Sequence, residues 1–137
     1  GGDNIGGFVG FNNGNRIEDC YCSGSISGSG AGGFVGENQS IINNCYSTVI
    51  VDPLGSSESS GGFCSVFTTG ATITNSFWET TGNIGSSSEG TGKTTTEMKT
   101  KTTYTDAEWS FGGGSPVWAI DVGKNDGYPY LVENNPF

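Results

Sequence analysis

Histidine is absent from this 137-residue chain, and only five residues are Lys or Arg against 14 Asp or Glu, a formal net charge of −9. The lack of histidine removes the usual general base beside a Ser or Cys nucleophile and the commonest metal ligand. With so few cations there is no clustered Lys or Arg to bind phosphates, which disfavours nucleic acid and an anionic membrane surface. Hydrophobic residues make up only 32% of the chain, and no run approaches the length of a membrane-spanning helix. The opening Gly1-Gly2-Asp3-Asn4 has neither the basic start nor the apolar stretch of a signal peptide. It reads as a fragment or a mature, processed chain whose parent is open to secretion. The chain has the length of one domain but too little apolar material for a thick globular core. Low hydrophobicity with high net charge is also the signature of disorder. The 12% aromatic content and its regular placement argue against that reading.

What the chain has is glycine, 25 residues of it, and repetition. Gly-Gly-Phe occurs at Gly6-Gly7-Phe8, Gly32-Gly33-Phe34 and Gly61-Gly62-Phe63, so successive blocks start 26 and 29 residues apart. The first two extend to Gly-Gly-Phe-Val-Gly, whereas the third continues Cys64-Ser65. Aligned, the blocks give columns: Phe8, Phe34 and Phe63; Val9, Val35 and Cys64; Ile17, Ile42 and Ile73; Asp19, Asn44 and Asn75; Cys20, Cys45 and Ser76; Tyr21, Tyr46 and Phe77. Each block holds two short β-branched or aromatic patches separated by a polar turn such as Asn12-Asn13-Gly14-Asn15, so the patches read as strands. Glycine is too frequent for helix across residues 1–85. Such blocks cannot bury their apolar side alone and must stack. The expected architecture is all-β: a parallel β-solenoid of about three coils (6–31, 32–60 and 61–85), each coil about 4.8 Å from the next with like side chains in ladders.

The pattern Gly-Gly-Phe-Val-Gly-x-Asn, followed by Ile-x-Asn-Cys-Tyr-Ser, resembles the GLUG-motif repeat of bacterial and archaeal surface proteins. Block two carries the likeness most fully, from Gly32 through Asn38 and from Ile42 through Thr48. Ser76-Phe77-Trp78-Glu79-Thr80, Gly90-Thr91-Gly92-Lys93-Thr94, Glu97-Met98-Lys99, Trp118-Ala119-Ile120 and Asn125-Asp126-Gly127-Tyr128-Pro129-Tyr130-Leu131 are similar to the tail that often follows the last repeat of that family. The third block departs at Cys64-Ser65-Val66-Phe67, which points to a remodelled turn there. The resemblance implies a large, secreted, adhesin-like parent at the cell surface. It attaches no catalytic role to the repeat, although such repeats also sit beside the catalytic domains of some surface peptidases.

After Gly85 the repeat stops, and residues 86–137 read as a C-terminal cap over a sheet end that would otherwise invite strand addition. Thr94-x-x-Glu97 matches a capping box, predicting a short helix through Met98 and Lys101. A second helical turn from Thr105 carrying Trp109, then two strands among Phe111, Trp118, Ile120, Tyr128, Tyr130 and Leu131, complete the expected cap. No equivalent cap precedes Gly6, which leaves head-to-tail assembly into a fibre open.

The candidate site residues are few. Cys20 and Cys45 fall in adjacent coils, near enough for a disulfide; the alternative is that all four cysteines, with Cys22 and Cys64, are small apolar fillers. Cys20-x-Cys22 lacks zinc-site spacing. Tyr21, Tyr46 and Phe77 form either an outward strip suited to stacking on sugar rings or ordinary core, because strand parity alone does not say which of Cys20 and Tyr21 faces out. Asp121, Asn125 and Asp126 supply oxygens but not the spacing of a calcium loop, and Asn125-Asp126-Gly127 reads better as a tight turn. Asn38-Gln39-Ser40 is a glycosylation sequon. No cofactor, metal or catalytic set emerges. The expected function is therefore a structural or adhesive extracellular module that assembles with itself or meets surface glycans. A carbohydrate-binding module and a non-catalytic segment of a surface peptidase are the alternatives.

Overall fold

In the computed structural model, which describes residues 4–52, 60–83, 86, 87 and 89–133, the chain is mostly strand with two short helices. The block boundary placed near Gly85, and the end of the second block at 53–59, lie outside the described residues. Block one supplies β1 (Ile5–Gly6), β2 (Val9–Asn12), β3 (Ile17–Glu18) and β4 (Tyr21–Ser27). Block two repeats the set as β5 (Ala31–Gly32), β6 (Val35–Asn38), β7 (Ile41–Asn43) and β8 (Tyr46–Asp52). Block three gives β9 (Cys64–Phe67), β10 (Thr72–Thr74) and β11 (Phe77–Glu79).

Every strand pairs in parallel with its counterpart in the next block. β2, β6 and β9 form one sheet and β3, β7 and β10 a second; β4, β8 and β11 form a third, and β1 pairs with β5. The register places Val9 by Val35 by Cys64, Ile17 by Ile42 by Ile73, and Tyr21 by Tyr46 by Phe77. These are the columns the sequence repeat predicts. The Phe8, Phe34 and Phe63 rings stand in single file, with successive centroids 4.8 Å apart and planes within 8°.

The Gly-Gly of each block has a steric cause. A β-carbon at Gly7 would lie 2.2 Å from the Gly33 carbonyl oxygen, and one at Gly33 would lie 2.0 Å from that of Gly62. Neighbouring backbones approach too closely here for any side chain. The inner core between the sheets holds Phe34, Val35, Ile42, Cys45, Val49, Phe63, Cys64 and Trp78. Each rung residue fully removed from water contributes roughly 1.5–3 kcal/mol. The buried Asn12 is held by its amide, which donates to Asn38 Oδ1 at 2.8 Å, so this polar pair is satisfied inside the stack.

A shortened fourth rung follows. β12 (Thr91–Lys93) pairs in parallel with β11, setting Thr91 beside Phe77. Gly62 N–H donates to the Ser86 carbonyl, and Phe63 N–H donates to Ser87 Oγ, as Phe8 and Phe34 donate to the Phe carbonyl one block on. The Ser87 hydroxyl thus takes the place of a fourth Phe carbonyl.

Next come α1 (Thr95–Met98) and α2 (Lys101–Thr105), then the antiparallel pair β13 (Trp118–Ala119) and β14 (Tyr130–Leu131). The capping box at α1 is present, with Thr94 Oγ1 accepting from Glu97 N–H and the Glu97 carboxylate accepting from Thr94 N–H. One expectation needs correcting: α2 ends at Thr105, and Glu108 takes a φ of 62° that breaks the helix before Trp109. Placement of the C-terminal segment also differs from a simple end cap. Ser86, Ser87 and 89–93 lie on the end of the stack, whereas the segment from α1 to β14 packs along its flank, on Tyr21, Tyr46 and Phe77.

Candidate functional site

The corner between β3 and β4 decides what the aromatic column can do. Asp19, Asn44 and Asn75, one in each block, take φ of 51°, 52° and 48°. Asp and Asn are the non-glycine residues that best tolerate this left-handed conformation. The turn it makes lets Ile17 and Cys20 pack on the inner core while Tyr21 packs on a second, separate cluster. The tyrosine column therefore faces away from the inner core.

It does not face water. Tyr46 is 1% exposed and Phe77 7%, while Tyr21 is partly buried. Met98, Tyr104, Trp109 and Trp118 of the flanking segment complete this second core. Trp118 sits 6.0 Å from both Tyr21 and Tyr46, Trp109 lies 5.9 Å from Phe77, and Tyr104 meets Phe77 edge-on at 5.5 Å. The polar tips of Trp118, Trp109, Tyr46 and Tyr128 are each anchored. Trp118 Nε1–H donates to Asp19 Oδ1 at 3.0 Å, and Trp109 Nε1–H donates to the Asn75 carbonyl at 2.8 Å. Tyr46 donates to the Pro129 carbonyl at 2.6 Å and accepts from Asn125 Nδ2 at 3.0 Å. Tyr128 donates to both carboxylate oxygens of Glu79, to which Thr95 also donates. Burial pushes the Tyr46 and Tyr104 phenols well above their usual range.

The aromatic strip proposed for sugar stacking is thus corrected. Tyr46 and Phe77 point outward from the repeats but offer no free ring face, because the flanking segment roofs them. The disulfide is corrected as well: no bridge joins Cys20 to Cys45. Cα atoms about 4.8 Å apart across strands would suit a bridge. In-register side chains run parallel, however, so their β-carbons keep nearly that spacing rather than the roughly 3.8 Å a disulfide prefers. Cys20 Sγ–H instead donates to the Glu18 carbonyl at 3.1 Å and Cys45 Sγ–H to that of Asn43 at 3.2 Å. The neighbouring Cys45 thiol lowers the Cys20 pKa, and Cys20 together with burial raises that of Cys45. Cys22 is pushed up to about 12, chiefly by burial.

The remaining candidates are engaged locally. Asp121 Oδ1 accepts from Gly123 N–H at 2.8 Å, and the Asn125 amide is committed to Tyr46 and to the Pro129 carbonyl. Among the described residues no cluster of three His, Cys, Asp or Glu is placed to hold a metal ion. Asn38 of the sequon is fully buried, so the folded chain presents no acceptor there. One cleft of about 440 Å³ lies between Pro116 and Leu131, and another of about 350 Å³ lies beside Lys99, Lys101 and Asp121. Neither reaches the aromatic column. Sequence reasoning missed Asp19, Trp109, Trp118 and Glu79 as the residues that fix the flank; the tryptophans' spacing from the repeat gave no signal of contact.

The sequence profile of the GLUG motif matches residues 1–27 and 27–52. Two successive GLUG motifs therefore make up residues 1–52 of this chain. The third block, where Cys64-Ser65-Val66-Phe67 departs, lies beyond these two GLUG matches. A protein of Evansella cellulosilytica described as a Gly-rich membrane protein is 32% identical over an alignment of 134 residues that takes in 94% of this chain. That likeness therefore takes in the flanking segment as well as the GLUG blocks. The chain spans only 12% of that relative's length. No solved structure matches. Among the described residues, no helix is long and apolar enough to cross a membrane.

Proposed function

We propose that this chain is a non-catalytic structural module of a microbial surface protein, in which the stacked sheets form the sides of a three-coil β-solenoid braced by the C-terminal segment. The observation that carries this reading is where the chemistry-bearing side chains go. The aromatic column, the buried asparagines and both flank tryptophans are spent on holding coil to coil and flank to coil. Such a body supplies length and stiffness, as stacked repeats do. An extracellular setting is supported by the GLUG repeats and by the membrane description of the Evansella relative. Adhesion, in this reading, belongs to outer faces such as that of Phe11, Glu37 and Val66, which share one outward column. The glycan-stacking alternative loses its strip to the roof over Tyr46 and Phe77. An antibody raised against residues 1–137 should label intact cells that express the parent protein; labelling only after lysis overturns the surface assignment. Saturable binding to a glycan array by the isolated chain would overturn the purely structural one.

A further inference from the structure

The two ends of the stack are chemically unlike. At the far end, a β-carbon on Gly90 would lie 2.9 Å from Cβ and Cγ of Phe63, so residue 90 already occupies the outer face of that ring. Ser86 and Ser87 take the backbone donors of Gly62, Phe63 and Cys64, and β12 takes the edge of β11. The Asn83 side chain finishes the exposed part of β8, accepting from Val51 N–H at 3.1 Å and donating to the Val49 carbonyl at 2.6 Å. Among the described residues, no strand pairs with the far side of the short β10.

At the near end, nothing among the described residues pairs with the upstream side of β2, β3 or β4. Phe8 is 46% exposed, whereas Phe34 and Phe63 are 0% exposed in the same file. The register says which groups wait there. Tyr46 N–H donates to the Cys20 carbonyl and Phe77 N–H to that of Cys45, so Tyr21 N–H points upstream. Gln39 N–H donates to the Asn12 carbonyl and Thr68 N–H to that of Asn38, so Asn13 N–H does the same.

We propose that this near face seats a preceding GLUG-type coil, which lays an aromatic ring on Phe8 and accepts from Tyr21 and Asn13, and that the chain terminates a stack rather than joining copies head to tail. The inference rests on the reading of the chain as a repeat module. Its occupant is set by continuity, because the near face repeats, group for group, the upstream faces of blocks two and three, which blocks one and two already cover. A second copy cannot offer its far end, since the outer face of Phe63 is taken.

The test inserts a second copy of residues 6–31 between Ile5 and Gly6, which preserves the phase in which Ala31 precedes Gly32. Hydrogen exchange at the original Asn13 and Tyr21 amides should slow at least tenfold, and Phe8→Ala in the same chain should reverse much of that gain. A copy of residues 32–60 at the same point gives an independent coil should the first fail to fold. If both extended chains fold and the two amides exchange as before, the proposal is overturned. It is equally overturned if the unaltered chain gains protection at Asn13 and Tyr21 as its concentration and sedimenting mass rise, since a second copy would then be the occupant. Neither failure touches the surface-labelling result, so the two readings fall separately.

Discussion

The indole N–H of Trp118 donates to Asp19 Oδ1 at 3.0 Å across 99 residues of sequence, and Asp19 is the same residue whose left-handed backbone turns the first corner. One side chain therefore aims the tyrosine column and ties down its cover. Asp19→Ala removes the acceptor and puts a poorly tolerated residue at positive φ, for an expected loss of about 1–3 kcal/mol. Asp19→Asn keeps both properties and should cost less than about 1 kcal/mol. Urea unfolding with unchanged slope measures the difference; equal midpoints for the two variants would show that the bond contributes nothing.

Position along the Phe file should set the cost of truncation. Phe34 is sandwiched between two rings, so Phe34→Ala should destabilise by about 3–5 kcal/mol. Phe8, stacked on one face and half exposed, should cost far less, about 1 kcal/mol. Thermal and urea midpoints of both variants check the order. A Phe8→Ala loss as large as that of Phe34→Ala would mean that the file is not the stabilising unit.

How far these contacts were legible in sequence depends on their range. The columns of Val9, Ile17 and Tyr21 could be read directly because parallel stacking repeats identical environments at the block spacing. The capping box at Thr94 was legible for the opposite reason, being wholly local. The direction of Tyr46 was not, since it turns on a left-handed residue two positions earlier, at Asn44, and on a cover more than 50 residues away. The thiols misled because Cα spacing across parallel strands suits a bridge while the parallel side-chain vectors do not. Trp109 resembled a helical residue, but the αL break at Glu108 sends its indole to Asn75.

Thiol reactivity follows from the same geometry. Cys20 is the partly exposed member of the four, and the neighbouring Cys45 thiol lowers its pKa. Brief iodoacetamide treatment of the native chain at neutral pH should therefore add one label, at least tenfold faster than any second, and all four after denaturation. Cys20→Ser should abolish the fast label. An intact mass 2 Da below the reduced chain, from about two hydrogens lost per bridge, would show that a disulfide forms after all.

Alkali should unfold the chain. Burial raises the folded pKa of Cys22 from its ordinary 9.0 to about 12, and burial with Glu79 beside it raises Tyr128 from 10.0 to about 12. A group whose folded pKa lies above its unfolded value gives stability that is complete below the unfolded pKa and drains as pH climbs toward the folded one. Urea midpoints should hold steady to about pH 8.5, then fall between about pH 9 and 12. Cys22→Ala should make the earliest part of that fall shallower, the remainder belonging to Cys45, whose pKa is also raised. An unchanged slope there in the variant would assign it elsewhere.

The flanking segment runs along the side of the stack from the first block to the third, so its two tryptophans should protect different rungs. Trp118 meets the first block through Asp19 and Tyr21, and Trp109 meets the third through Asn75 and Phe77. Each Trp→Ala change should cost about 3–5 kcal/mol, because each empties a large volume in the second core. Their patterns of loosening should differ. Under native conditions Trp118→Ala should speed hydrogen exchange first in β4, and Trp109→Ala first in β11, since sub-global opening follows local packing. If both variants raise exchange equally in β4 and β11, the flank and the repeats open as one unit. The rungs would then owe their order to the cover as a whole rather than to the contact nearest each of them.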